Sequence, residues 1–142
     1  MQKIIYSGHV LVFQDDKVLL VRHGEKAGHL TGVYGIPGGR PDEGESIIDS
    51  AARELEEESG LKVTVRNLNG FPNNKYTADI KRKDGTKRMT MTVYICTKFG
   101  GDPKDSLESK PEWIKIPDLD KYNLLPNVKK SVEDALKFLK NE

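Results

Sequence analysis

The stretch that decides the fold is GRPDEGESIIDSAARELEEESGL, residues 39–61. Residues 46–59 within it predict the one long helix in the first half of the chain, because apolar Ile48, Ala52 and Leu55 recur at helical spacing. Gly60 then ends the pattern, as a glycine just after a helix commonly does. The stretch therefore predicts a helix with one face toward a core.

The same helix carries an acidic stripe. At 100° per residue, Glu54, Glu57 and Glu58 share a sector about 100° wide, away from the apolar face. Like charges at these spacings cost a few tenths of a kcal/mol per pair, and acids near a helix C-terminus cost about 0.3 to 1 kcal/mol each. A solvated acidic face is one interpretation. A divalent cation would reverse both signs, and such oxygen ligands suit Mg²⁺ or Mn²⁺.

The whole stretch resembles the Nudix hydrolase box at every fixed position. The matching residues are Gly39, Glu45, Arg53, Glu54, Leu55, Glu57, Glu58, Gly60 and Leu61. Upstream, residues 35–39 are similar to the usual entry into this box. A match at so many specified positions is far more specific than a lone glycine-rich loop. The resemblance implies a single Nudix domain over residues 1–142.

Site roles follow from this resemblance. It implies divalent cations, Mg²⁺ or Mn²⁺, held by Glu54, Glu57 and Glu58, with Gly38 and Glu45 contributing to the metal site. Arg53 would orient a box glutamate, although an ordinary surface ion pair worth under 1 kcal/mol is the alternative. The reaction implied is attack of water on a phosphorus of a nucleoside diphosphate linked to a group X.

The general base is open between a box glutamate and a carboxylate on a distant loop. Glu108 and Glu112 both precede or begin the strand that contains Trp113, where family members often place such a residue. We favour Glu112 over Glu108 as the catalytic base. Either could instead be a solvated acid.

Substrate contacts are predicted at several other positions. Arg22, and more weakly His23, end the second strand and could bind phosphate, while Gly38 and Gly39 would let the backbone approach it. Asn127 falls where MutT-like relatives place a base-reading asparagine, but we favour a role as the cap of the last helix. Tyr76 is a possible stacking platform.

The rest of the chain predicts a mixed sheet. Residues 3–13 and 17–21 read as a hairpin, 61–65 and 71–82 as strands, and 87–99 as a central strand after the turn signal Asp84-Gly85. A short strand is expected at 112–116, and a final helix at 127–140. Few helices without regular alternation favour an α/β (α+β) fold, a Nudix-type α/β/α sandwich with helices on both faces of a mixed sheet.

Composition narrows the functional classes. The net charge of +1 argues against binding through a global basic field. The single cysteine, Cys96, excludes an internal disulfide framework and a cysteine zinc cluster. No apolar run approaches the roughly 20 residues of a membrane span. We therefore expect a cytoplasmic protein with no membrane partner, a monomer or homodimer.

Together these features predict a Mg²⁺-dependent, MutT-like pyrophosphohydrolase acting on a small-molecule nucleotide, most simply a nucleoside triphosphate that is normal or oxidised. The alternatives are hydrolysis of an ADP-sugar or a dinucleoside polyphosphate, and a binding-only nucleotide sensor. A further one is removal of the 5′ pyrophosphate from RNA, which would use the basic hairpin 81–88 as the RNA-binding surface.

Overall fold

The computed structural model describes residues 3–141 and contains two long helices and eight strands. The helices are α1 (Ile47–Ser59) and α2 (Val128–Lys140). The strands are β1 (Ile4–Gln14), β2 (Lys17–His23), β3 (Tyr34–Gly35), β4 (Gly38–Gly39), β5 (Leu68–Asn69), β6 (Lys75–Arg82), β7 (Gly85–Cys96) and β8 (Ser109–Lys115).

The strands form a mixed sheet. Its order is β3-β2-β1-β7-β5, with β4 also on β1, β6 on β7 and β8 on β2. β1 runs parallel to β7 from Ile4↔Arg88 to Val12↔Cys96, whereas the other pairs are antiparallel. β7 is therefore central, as its alternating pattern predicts.

A helix covers each face of the sheet. Leu55 of α1 packs with Val10 and Leu19, and Val132 of α2 belongs to a second cluster with Leu11. All five side chains are fully buried. The predicted α/β/α arrangement is confirmed.

The ends of α1 are set locally. Its N-cap is Ser46, whose hydroxyl accepts a hydrogen bond from the Asp49 N–H (3.2 Å). Gly60 ends the helix at φ 83°, and its N–H donates to the Glu56 carbonyl at 2.8 Å. Because these signals lie within a few residues of one another, the sequence prediction of this helix is confirmed to within one residue.

Both predicted hairpins are present. β1 and β2 pair only at Phe13↔Val18 and Gln14↔Lys17, so the rest of β1 is free to pair elsewhere. In the β6–β7 hairpin Arg82 pairs with Gly85, which leaves two residues, 83 and 84, at the tip. The positive φ of Gly85, 117°, explains the glycine.

Two strand predictions need correction. Residues 61–65 are not a strand, since only Lys62 forms a bridge, to Gly100. Their alternation reflects burial of Leu61 in the core under α1 rather than sheet pairing. The strand expected from residue 71 begins at Lys75, because Asn73 turns the backbone at φ 60°. Within residues 3–141, no helix combines the length and apolar character that a membrane crossing requires.

Candidate active site

A cavity of about 280 Å³ is lined by residues of β4 and α1 together with residues of β1, β6 and β7. Of the residues considered for the site from the sequence, those that line it are His23, Gly38, Gly39, Glu54, Glu58, Tyr76, Glu108 and Asn127. They come from six separate parts of the chain. The fold therefore brings the acidic end of α1 and the segment before α2 to one cavity.

The two glycines of β4 permit the close approach of α1. The Gly38 N–H donates to Glu58 Oε1 at 2.6 Å. A Cβ on Gly39 would lie 2.5 Å from Cδ of Glu54, and one on Gly38 would overlap the His9 ring. Only glycine at both positions leaves room for these neighbours.

Arg53 organises the carboxylates of the box. Its guanidinium contacts Glu45 through Nε (3.0 Å) and Nη2 (2.9 Å), and Nη1 donates to Glu54 Oε1 (2.8 Å) and Glu57 Oε2 (3.0 Å). Nη2 also donates to the Arg40 carbonyl at 3.1 Å. The predicted i, i+4 ion pair is therefore one contact of a larger network. Hydrogen bonding to Arg53 lowers the pKa of the Glu45 carboxyl.

These contacts divide the five predicted metal-site residues into those that face the cavity and those that do not. Both Glu45 oxygens bond to Arg53, and Glu57 is paired with the same guanidinium with its side chain 56% exposed. Neither lines the cavity, whereas Glu54 and Glu58 do. The structure thus places Glu45 as a partner of Arg53 rather than as a group facing the cavity.

The helical wheel places Glu58 away from the apolar face of α1, yet its side chain is buried. It is only 9% exposed, because β4 packs against it and the Ser109 hydroxyl donates to its backbone carbonyl (3.2 Å). Burial raises the pKa of its carboxyl to about 8, with the charges of Glu54 and Glu108 adding to the rise. Burial also raises the pKa of Glu54.

The chemistry of this donor set fits a hard divalent cation. Two half-buried or buried carboxylates with raised pKa values face the cavity, and a cation would favour their ionised forms. Among residues 3–141, no three Asp, Glu, His or Cys side chains already converge as a complete metal cage. Arg53 holds Glu54 and Glu57 instead, so ligation would need those two side chains to turn.

Replacing Arg53 with lysine should reduce kcat/KM with a divalent metal by about tenfold or more, in line with the loss of groups that orient metal ligands. A lysine keeps the charge but cannot donate to three carboxylates in one plane. We expect the metal concentration at half-maximal rate to rise as well. Steady-state kinetics over a Mg²⁺ series measures both, and an unchanged Mg²⁺ dependence would contradict the role of Arg53 in orienting ligands.

Metal binding should be pH-dependent through Glu58. Its folded-state pKa, about 8, exceeds the ordinary 4.5, so the stabilisation it contributes is full below about pH 4.5 and is lost as pH rises through about 8. A cation requires the ionised carboxylate, so the increase in Tm on adding Mg²⁺ should grow between about pH 6.5 and about pH 8.5.

The three histidines do not interfere in this pH range, since burial lowers the pKa of His9 and His23 to about 4 and that of His29 to about 3. They destabilise the fold only as pH falls below their unfolded value of about 6.5. Thermal melts with and without Mg²⁺ provide the measurement, and Glu58→Gln is the control whose Mg²⁺ shift should be flat. A flat shift in the unaltered protein would refute the prediction.

Arg22 and Glu112 also lie outside the cavity. Arg22 is exposed, because neighbouring strand residues point to opposite faces and His23 takes the inward position. Glu112 pairs in register with Leu20, and its Oε2 accepts a hydrogen bond from the Tyr34 hydroxyl at 2.9 Å. Glu108, which we ranked lower, lines the cavity, and its charge raises the pKa of Glu54 and Glu58.

Asn127 does not perform the capping role that its sequence position favours. It precedes α2 with φ 70°, and its side chain makes no cap hydrogen bond. It lines the cavity instead. Tyr76 also lines the cavity, with its hydroxyl held by Asp134 Oδ2 of α2 (2.7 Å).

The residues of the cavity wall that sequence reasoning did not assign to the site include four with basic side chains, His9, His29, Arg40 and Arg82. His9 Nδ1–H donates to the Ile36 carbonyl (2.8 Å), which leaves Nε2 to accept from the Ser7 hydroxyl (2.8 Å). Its only signal is its place in an apolar strand, which a packed core histidine shares. Arg40, directly after the two glycines, is the one residue whose position beside the box could have indicated a site role.

Comparison with known proteins agrees with this architecture. The sequence model of the NUDIX domain matches residues 6–136. The solved structure of a MutT NUDIX hydrolase from Burkholderia pseudomallei superposes with a TM-score of 0.78, at 20% identity over 94% of this chain and 98% of that one. A MutT protein from Methanosarcina mazei gives 0.76, at 22% identity over 99% and 96%. Such likenesses show the fold.

Curated relatives are more similar in sequence. The oxidized purine nucleoside triphosphate hydrolase of Mus musculus is 32% identical over 83% of this chain and 70% of its own length. Its counterpart in Danio rerio is 36% identical over 75% of this chain and 64% of its own length. This chain thus spans about two thirds of each relative. The family match and these identities show that the chain is a member of the Nudix hydrolase family.

Proposed function

We propose that the chain is a Mg²⁺-dependent pyrophosphohydrolase that converts a nucleoside triphosphate to its monophosphate and pyrophosphate. The observation that carries this proposal is one cavity lined by Glu54 and Glu58 together with Asn127 and Tyr76. Acidic groups that suit a cation thus share a space with groups that suit a nucleobase.

The cation would be held by Glu54, Glu57, Glu58 and the Gly38 backbone, with Glu45 acting through Arg53. A bound divalent ion neutralises phosphate oxygens and makes a water more acidic. Mn²⁺ would serve in the same way.

Proton transfer, charge balance and base binding are roles that we assign to side chains of the protein. Glu108 would take the proton of the attacking water, whose oxygen forms a bond to phosphorus as the P–O bond between the α- and β-phosphates breaks, which releases nucleoside monophosphate and pyrophosphate. Arg40, rather than Arg22, is placed to balance phosphate charge, because it lines the cavity. Asn127, whose side chain makes no cap hydrogen bond, and Tyr76 both line the cavity and would contact the base.

Relatives support the triphosphate as substrate. The mouse and zebrafish proteins are named for hydrolysis of oxidized purine nucleoside triphosphates, and a further relative is called a nucleoside triphosphatase. The RNA alternative has less support, since in the basic hairpin Arg88 is paired with Asp79 (2.9 Å) and Lys83 contacts backbone carbonyls. Hydrolysis of an ADP-sugar or a dinucleoside polyphosphate remains an alternative for the same site.

A substrate screen tests the proposal. Purified protein with Mg²⁺ or Mn²⁺ is given normal and 8-oxo nucleoside triphosphates, ADP-ribose, diadenosine polyphosphates and triphosphorylated RNA, with phosphate and pyrophosphate release measured. We expect the triphosphates to be turned over fastest and to give pyrophosphate. Faster release from another class of compound would show that this class is the substrate instead. Nucleotide binding without any turnover would show that the protein is a nucleotide sensor and not an enzyme.

A further inference from the structure

Arg82 is the last residue of β6, next to the tip of the β6–β7 hairpin, and this tip is hydrogen-bonded to residues 24–28. The Lys83 N–H donates to the Gly28 carbonyl (3.1 Å), and Lys83 Nζ donates to the carbonyls of Gly24 (3.2 Å) and Glu25 (2.6 Å). Arg82 itself forms a backbone bridge with His29. The tip and residues 24–29 therefore make one wall of the cavity, and the side chain of Arg82 lines it.

The guanidinium of Arg82 has almost no partner of its own. Its one side-chain hydrogen bond within residues 3–141 runs from Nη1 to Met89 Sδ at 3.8 Å, and it forms no salt bridge there. Thioether sulfur is a weak acceptor, so most of the five N–H donors are unused. A Cβ on Gly28 would overlap Nη2, so glycine at 28 provides the space that the guanidinium occupies.

Two histidines and two apolar side chains share this wall of the cavity with Arg82. His23 and His29 lie with ring centroids 4.6 Å apart, and both are neutral at neutral pH because burial holds the pKa of each at about 4 or below. The buried Nδ1 of His29 has no partner among the described residues. Ile80 and Met89, on β6 and β7, also line this wall.

This setting suits a flat ring with acceptors on its edge better than a phosphate. A phosphate carries more than one negative charge and is usually held by several donors or cations. On this wall the guanidinium of Arg82 is accompanied by the neutral histidines and by Ile80 and Met89. Two parallel N–H donors match the paired acceptors on one edge of guanine, and arginine reads that edge in other settings. Adenine would present an amino group, a donor, to the same donors.

We propose that Arg82 is a specificity-determining residue that donates to the O6 edge of a 6-oxopurine nucleotide and selects it over a 6-aminopurine. The proposal rests on the proposed function in taking the ligand to be a nucleotide. His29 contributes the polar atom next to this edge, and Met89 and Ile80 contribute apolar contact. Guanine and 8-oxoguanine both present O6 as an acceptor, and 8-oxoguanine carries a hydrogen on N7, so it offers Arg82 one acceptor instead of two. Through O6, Arg82 favours both over adenine.

The test compares dGTP, 8-oxo-dGTP and dATP in steady-state kinetics. In the unaltered protein kcat/KM should be higher for both guanine nucleotides, and Arg82→Met should reduce the preference over dATP by about tenfold. Gly28→Ala should act similarly, because its methyl group displaces the guanidinium. Lys83→Met is the matched control: it loosens the same tip but keeps the guanidinium, so the preference should remain.

Binding of GMP and AMP, measured by calorimetry without metal, separates this proposal from the proposed function. A GMP preference that Arg82→Met removes supports the role of Arg82 even if no triphosphate is hydrolysed. An unaltered protein that does not prefer GMP over AMP overturns it. A guanine preference that survives in Arg82→Met overturns it too, as does an equal loss of preference in Lys83→Met, since Arg82 would then matter only for holding the tip.

Discussion

Glu58→Gln should lower kcat with Mg²⁺ by about three orders of magnitude, as expected when roughly 4 kcal/mol of metal-dependent transition-state stabilisation is lost. Glutamine keeps the shape of the side chain and can still accept the hydrogen bond from the Gly38 N–H. It removes only the charge that holds a cation. Initial rates at saturating nucleotide measure the effect.

The fold should survive this change. The carboxylate of Glu58 is buried and its pKa is raised, so a neutral amide should leave Tm in the absence of metal equal or higher at neutral pH. Glu56→Gln is the matched control, since Glu56 is exposed on the same helix and outside the cavity. Full activity in Glu58→Gln, or a comparable loss in Glu56→Gln, would remove Glu58 from the metal site.

Glu108→Gln should reduce kcat by about two orders of magnitude, while Glu112→Gln should stay within about twofold of the unaltered rate. A general base contributes roughly 10² to 10⁴ in rate, and a glutamine cannot accept the proton of water. Glu108 lines the cavity, whereas Glu112 bonds to the Tyr34 hydroxyl outside it. Rate against pH for all three proteins is the measurement.

If Glu112→Gln shows the larger loss, the base is Glu112 and Tyr34 must release it during the reaction. If neither variant loses activity, a box glutamate takes the proton. The backbone of Glu108 is held by the Gly24 N–H, which donates to its carbonyl at 2.8 Å, so a changed rate would reflect the side chain and not a displaced loop.

Sequence alone predicts the parts of this molecule that depend on short-range signals. Helix α1 is an example, because Ser46, Gly60 and the apolar spacing between them act within one segment. The box glutamates and Arg53 also depend on short-range signals, because their hydrogen-bond network lies within residues 40–57. The mixed sheet follows from the count and order of elements.

Long-range packing decides what the sequence does not reveal. A helical wheel gives Glu58 an outward direction, but β4 and the segment before β8 cover it. Asn127 has the composition of a cap, yet its side chain faces the cavity. The sequence shows Arg82 only as one of several charges in the basic hairpin 81–88, and contact with residues 24–29 turns it toward the cavity. No periodicity carries such information.

The parallel pairing of β1 with β7 also bears on how the chain assembles. Ile4 pairs with Arg88 and Val12 pairs with Cys96. The centre of the sheet therefore cannot form until residues more than 80 positions apart come together. Loops of this length make the closing contacts costly in entropy and slow to form. β1 also carries Ser7 and His9 in the cavity wall. During synthesis the first strand therefore remains without its main partner until most of the chain exists, so the cavity forms late in folding.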